Sequence, residues 1–166
     1  MSKQPAGLFV SLAACLVTYA GLASPDPSPI VSVSLPDGST APLTQEVRER
    51  LTRERVEATA RGETHDYSGY DLRAVLEAVG YKPTESLRGA AMRRVLVAEG
   101  SDGYRVTFSL AELDPSIGNR KVLLVDVMDG KALPSDTGPW RLVVPADGRP
   151  TRWVRSLRTL AVRDVP

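Results

Sequence analysis

Between Ile30 and Leu35 apolar residues alternate with serine, a period of two that predicts a strand, and Pro36-Asp37-Gly38-Ser39 supplies the turn after it. Thr44 stands as a cap before Val47, Leu51 and Val56, which share one face of a predicted helix whose other face is Glu and Arg. On that reading Glu46, Glu49, Glu54 and Glu57 make ion pairs with neighbouring arginines on the helix surface. The clearest helix covers residues 72–79. Asp71 is its N-cap, Leu72, Val75, Leu76 and Val79 recur at helical spacing, and Gly80 stops it. Residues 94–98 and 104–108 read as strands around the turn Gly100-Ser101-Asp102-Gly103. A short helix starts near Ser109, passes through Leu110 and Leu113, and ends before Pro115. Lys121 to Met128 is a strand closed by the hairpin signal Asp129-Gly130; Arg141 to Val144 and Thr159 to Val165 are two more. Roughly five to seven short strands with two or three helices, in no regular alternation, predict an α+β domain on a mixed β-sheet, not a doubly wound parallel sheet.

The N-terminus reads differently. Lys3 precedes an apolar run from Leu8 to Ala23, with Gly21-Leu22-Ala23 before Ser24. A charged start, an apolar centre and small residues at a cleavage site predict a signal peptide over residues 1–23. Residues 24–29 are then a Pro-rich spacer and 30–166 the domain, in a periplasmic or secreted protein with no membrane span after cleavage. Leu12-Ala13-Ala14-Cys15 also fits a lipoprotein box, so anchoring through Cys15 stays open. A retained anchor is the weaker reading, because the run falls short of the roughly 20 apolar residues of a span.

Charge adds an exclusion. The chain has 21 basic and 20 acidic residues, and loss of Lys3 with the signal peptide leaves 21 − 1 = 20 against 20. That balance carries no electrostatic footprint for nucleic acid. Cys15 is the single cysteine, so the mature chain has neither a disulfide nor thiol chemistry.

Most standard chemistry is missing from the motifs. His65 is the only histidine, which rules out a histidine-rich metal site; between Thr64 and Asp66 it reads as a surface loop residue. There is no Gly-x-Ser-x-Gly elbow, phosphate loop or dinucleotide fingerprint. What remains is a series in fixed order. It runs Tyr67-Ser68-Gly69-Tyr70-Asp71-Leu72, Ala74-Val75-Leu76, Asp102-Gly103-Tyr104, Asp129-Gly130-Lys131-Ala132-Leu133-Pro134, Gly138-Pro139-Trp140-Arg141-Leu142-Val143-Val144-Pro145 and Arg152-Trp153-Val154. In order and spacing this resembles the molybdopterin-binding domain of the sulfite oxidase family, which includes the periplasmic methionine sulfoxide reductases. The resemblance runs from about residue 30 to the end, in a chain of reduced size, and implies the mixed-sheet α+β fold of that domain.

The resemblance also implies a metal held by cysteine upstream of the aromatic-x-Gly segment. Here that region is Val56-Glu57-Ala58-Thr59-Ala60-Arg61, which has no thiol, the soft ligand such a site uses. Glu57 is either an oxygen ligand or a surface carboxylate paired with Arg53, Arg55 or Arg61. The expectation is therefore no bound metal and no cofactor, with molybdopterin as the alternative. Candidate ligand- or cofactor-binding residues are Tyr67, Tyr104, Trp140, Arg141, Arg152 and Trp153; no catalytic residue is assigned. The arginines suit an anion, although Arg141 equally suits a sheet edge and the two tryptophans the core. Three functions follow. The first is a non-catalytic exported domain binding a small anionic ligand or a periplasmic protein partner. The second is a molybdenum-cofactor oxidoreductase transferring oxygen atoms without the usual cysteine, its electrons coming from a partner. The third is an accessory subunit of an exported or membrane-bound enzyme or sensor.

Overall fold

The computed structural model describes residues 30–81 and 87–165; the expected signal peptide and spacer, with Cys15, lie outside the described residues. The elements run β1 (Ser32–Ser34), β2 (Thr40–Pro42), α1 (Gln45–Glu49), β3 (Glu54–Ala60), β4 (Glu63–Asp71) and α2 (Leu72–Ala78). After these come β5 (Arg94–Gly100), β6 (Arg105–Ser109), α3 (Leu110–Leu113), β7 (Leu123–Met128), β8 (Lys131–Ala132), β9 (Arg141–Val143) and β10 (Leu157–Asp164). One sheet has the order β2-β1-β10-β5-β6. In the other, β3, β4 and β7 are neighbours, with β8 and β9 both paired to β7. Only β1 and β10 run parallel among these pairs, so the domain is α+β with a mixed sheet. Among the described residues no helix is long and apolar enough to cross a membrane.

The helices begin where local chemistry places them. Asp71 accepts from the Arg73 N–H at 2.8 Å, and Gly80 ends the turn after α2 at φ +98°, where a side chain would be strained. Ser109 and Glu112 cap α3 reciprocally. Thr44 does cap α1, but that helix is only five residues long. Val56 lies in strand β3 instead, where Val56, Ala58 and Ala60 face inward and Arg55, Glu57 and Thr59 outward. The period of two prevails over the helical spacing because β3 pairs with β4 along its whole length. Glu54 and Glu57 therefore belong to a sheet, and Glu54 pairs with Lys121, not with a helix neighbour. His65 sits within β4, not in a loop.

The two sheets and the helices share one contiguous core. Leu123, Leu124 and Val125 of β7 are all fully buried, so this strand is covered on both faces. Gly69 lies against it: a Cβ at that position would stand 2.1 Å from the Leu124 carbonyl oxygen. A register shift between Ser68 and Gly69 accompanies that approach. Backbone hydrogen bonds of the 137–157 stretch join the sheets. Leu142 N–H donates to Val154 (2.9 Å), Ser156 N–H to Thr137 (2.8 Å), Leu157 N–H to Trp140 (2.8 Å) and Ser101 N–H to Ser156 (2.9 Å). Thr137, Arg141, Trp153 and Arg155 of this stretch also line a cleft.

Candidate functional site

Where the β3–β4 turn, the β5–β6 turn and the 137–155 stretch converge, they enclose a cleft of about 400 Å³. Tyr67 is its hub. Buried on β4 by the alternation of that strand, it meets Trp153 edge-on at 5.7 Å and His65 edge-on at 6.2 Å. The Arg141 guanidinium, from the first residue of β9, lies 5.9 Å from the Tyr67 ring and 5.3 Å from that of Trp153. Trp153 is itself fixed, its indole N–H donating to the Val144 carbonyl at 3.0 Å. Tyr104 closes one wall: its hydroxyl donates to the Thr151 carbonyl at 2.7 Å, and its N–H bonds the Asp102 carboxylate at 3.0 Å.

Arg141 is the electrostatic centre. Among the described residues it has no carboxylate within salt-bridge distance, and its buried Nε has no hydrogen-bond partner. Burial above all lowers its pKa, and repulsion from Arg155 and Arg61 acts the same way, partly opposed by Tyr67 and Asp136. A guanidinium stays charged regardless. Arg61 and Arg155 line the same cleft and are likewise unpaired among the described residues. Glu63, Asp102 and Asp136 also reach the lining, so its formal charge is balanced while its deepest cation is not. A half-buried, unpartnered charge flanked by aromatic faces favours an incoming anion, since that contact supplies what the fold leaves out.

Of the residues singled out in sequence, Tyr67, Tyr104, Arg141 and Trp153 meet in this cleft. Trp140 does not; it is buried against Tyr70 at 6.4 Å, with the Arg48 guanidinium 5.3 Å from its ring. Arg152 turns away too. It forks onto Asp147 (2.7 and 2.9 Å), reaches Glu112 at 3.1 Å, and lies 5.0 Å from the Phe108 ring. Those carboxylates raise its pKa well above the usual arginine value. Its place is the footing of the 145–153 loop that walls the cleft.

Sequence reading misses His65, Arg61 and Arg155. His65 Nδ1 is 2.7 Å from Asp129 Oδ2, while Nε2 stands 3.6 Å from Glu63. The Asp129 hydrogen bond chiefly raises its pKa, with a further push from Glu63. Arg61 is held at the hairpin by a positive φ of 56° beside Gly62. The signal for this hairpin is the alternation of β3, with Arg61-Gly62 as its turn.

The donor set does not fit a molybdenum site of the cysteine-ligated kind. Among the described residues there is no cysteine, and no group of three or more His, Cys, Asp or Glu able to hold a metal ion. Glu57 is exposed on β3 and lines an open groove with Arg61 and Arg149, beyond the Tyr67 cleft.

The model of the oxidoreductase molybdopterin binding domain family matches residues 44–166. Among solved structures, the fold is similar to that of the sulfane dehydrogenase SoxCD from Paracoccus pantotrophus, with a TM-score of 0.63 and 20% identity. The match covers 82% of this chain and 38% of that one, so the chain spans well under half of the larger protein. At that identity the likeness concerns the fold. No curated protein sequence matches the chain.

Proposed function

The chain belongs to the oxidoreductase molybdopterin binding domain family, and we propose that it is a non-catalytic, exported member that binds a small anionic ligand in the Tyr67 cleft. The observation that carries this is Arg141, a half-buried guanidinium among aromatic rings whose buried Nε has no hydrogen-bond partner and which has no carboxylate partner among the described residues. Arg152, a short distance along the chain and also half-buried, has two acids instead. An oxyanion offers Arg141 the fork geometry it lacks, and Arg61, Arg155 and Thr137 line the space that the ligand would enter. The charged start and apolar run of residues 1–23 support the exported part of this reading.

The lack of a cysteine among the described residues argues against redox chemistry at a cysteine-held molybdenum. The competing reading, an oxidoreductase with an oxygen ligand such as Glu57, requires molybdenum near one per chain in protein purified from a host that makes the cofactor. The proposed reading predicts none above background, together with saturable binding of sulfate or phosphate by calorimetry. Stoichiometric molybdenum, or no anion binding at all, would replace it.

A further inference from the structure

We propose that His65 is a ligand-binding residue of this cleft, donating to the anion from Nε2 as an imidazolium, so that capture takes up a proton. The inference rests on the reading of the cleft as an anion site. Its basis is geometric. Asp129, at the β7–β8 turn, takes Nδ1 at 2.7 Å and is itself fixed by the Asp66 N–H at 2.9 Å. That bond fixes the ring and leaves Nε2 with only a long ion pair, to Glu63. Nε2 makes no hydrogen bond among the described residues, and its nearest acid, Glu63 at 3.6 Å, is largely solvent-exposed (79%) and free to move. The imidazole packs edge-on against Tyr67, the ring that also carries Arg141.

Other charges share the cleft. Arg61 comes from the β3–β4 turn, Arg141 from β9, Arg155 from the segment before β10, Asp102 from the β5–β6 turn and Asp136 from the loop before β9. Histidine is the residue type among them whose charge changes between about pH 5 and 8. An anion brought to Arg141 would favour the protonated ring, and reciprocally a protonated ring would favour the anion. Glu63 competes for the same Nε2–H, so its removal should tighten binding.

Sulfate is the probe, because it does not titrate in this range and any pH dependence then belongs to the protein. Sulfate binding by the full chain is followed calorimetrically from pH 5.5 to 8.5, in paired buffers of different ionisation enthalpy. Expected are proton uptake of up to one per anion and a Kd that rises with pH, approaching about tenfold per unit above the His65 pKa. His65→Asn should flatten that profile, and Glu63→Gln should lower Kd. The chain has a single histidine, so its imidazole NMR signals identify themselves and should titrate at higher pH with sulfate bound. This readout holds even if His65→Asn fails to fold. A flat profile and an unmoved imidazole, with binding still lost in Arg141→Met, would overturn the role of His65 and leave the anion site standing. No binding by the wild-type chain at any pH would remove both.

Discussion

Replacing Arg141 by Met separates a binding cation from a structural one. Two stabilising contacts would be lost, with the rings of Trp153 at 5.3 Å and Tyr67 at 5.9 Å. Each is worth about 0.5–2 kcal/mol. Against that, the substitution removes a charge that is poorly solvated, pushed by Arg155 and Arg61, and without an acid partner. A fully buried unpaired ion costs of order several kcal/mol, and this half-buried guanidinium bears only a fraction of that, while Met keeps most of the apolar stem. The terms nearly cancel, and the ligand-free variant is expected to unfold within about 1 kcal/mol of wild type. With the anion the two should part. At an anion concentration of about 100 times Kd, wild type gains about 2.7 kcal/mol, or about 8 °C at about 3 °C per kcal/mol for a domain of this size. The variant should gain nothing. Thermal unfolding with and without millimolar sulfate measures this, against chloride at matched ionic strength and below the range where sulfate acts as a general stabiliser. If ligand-free Arg141→Met were less stable by more than about 2 kcal/mol, Arg141 would be a strut. If the variant kept the full sulfate effect, the anion would bind elsewhere.

Three further outcomes are expected. Gly69→Ala should destabilise the domain by about 3 kcal/mol or more in urea unfolding, because its Cβ would meet Leu124 and Val125 backbone atoms at 2.1–2.8 Å. Asp129→Asn should lower the His65 pKa towards its ordinary value, read by NMR. The signs follow from the pair. The contribution of His65, whose pKa is raised chiefly by Asp129, is present below its unfolded value near pH 6.5 and lost as pH rises through the folded one. That of Asp129, lowered first by the Asp66 N–H and then by His65, is present above about pH 4 and lost as pH falls through its folded value. Wild type should thus lose a stabilising term towards alkaline pH that Asp129→Asn lacks. Arg152→Ala should cost about 2 kcal/mol, since it strips Asp147 of its closest partner, and should speed amide exchange across residues 145–153.

What sequence reveals here is local, and what it conceals is assembled at a distance. Asp71 capping α2 and the Ser109–Glu112 box capping α3 act over two or three residues, so their pattern is visible without the fold. Strands β3 and β4 are harder because their exposed faces carry Arg55, Glu57, Glu63 and Asp66, and the few apolar positions between them also suit a helix. Only pairing along the whole length of the hairpin decides the matter. Tyr67, Tyr104, Arg141 and Trp153 meet because the middle of β4, the β5–β6 turn and the 137–155 stretch converge on one cleft. Trp140 and Arg152 stand outside that cleft, against partners Tyr70, Asp147 and Glu112 that packing chooses. His65 has an anchor 64 residues away in Asp129, and the charged lining draws on Arg61, Arg141 and Arg155. No spacing rule joins those positions.

The hydrogen bonds linking Thr137 to Ser156, Trp140 to Leu157 and Leu142 to Val154 make one stretch of backbone both joint and vessel. Backbone changes in this stretch would therefore part the two halves of the molecule along with the hollow, whereas exchanging the side chains that face the space leaves those bonds in place.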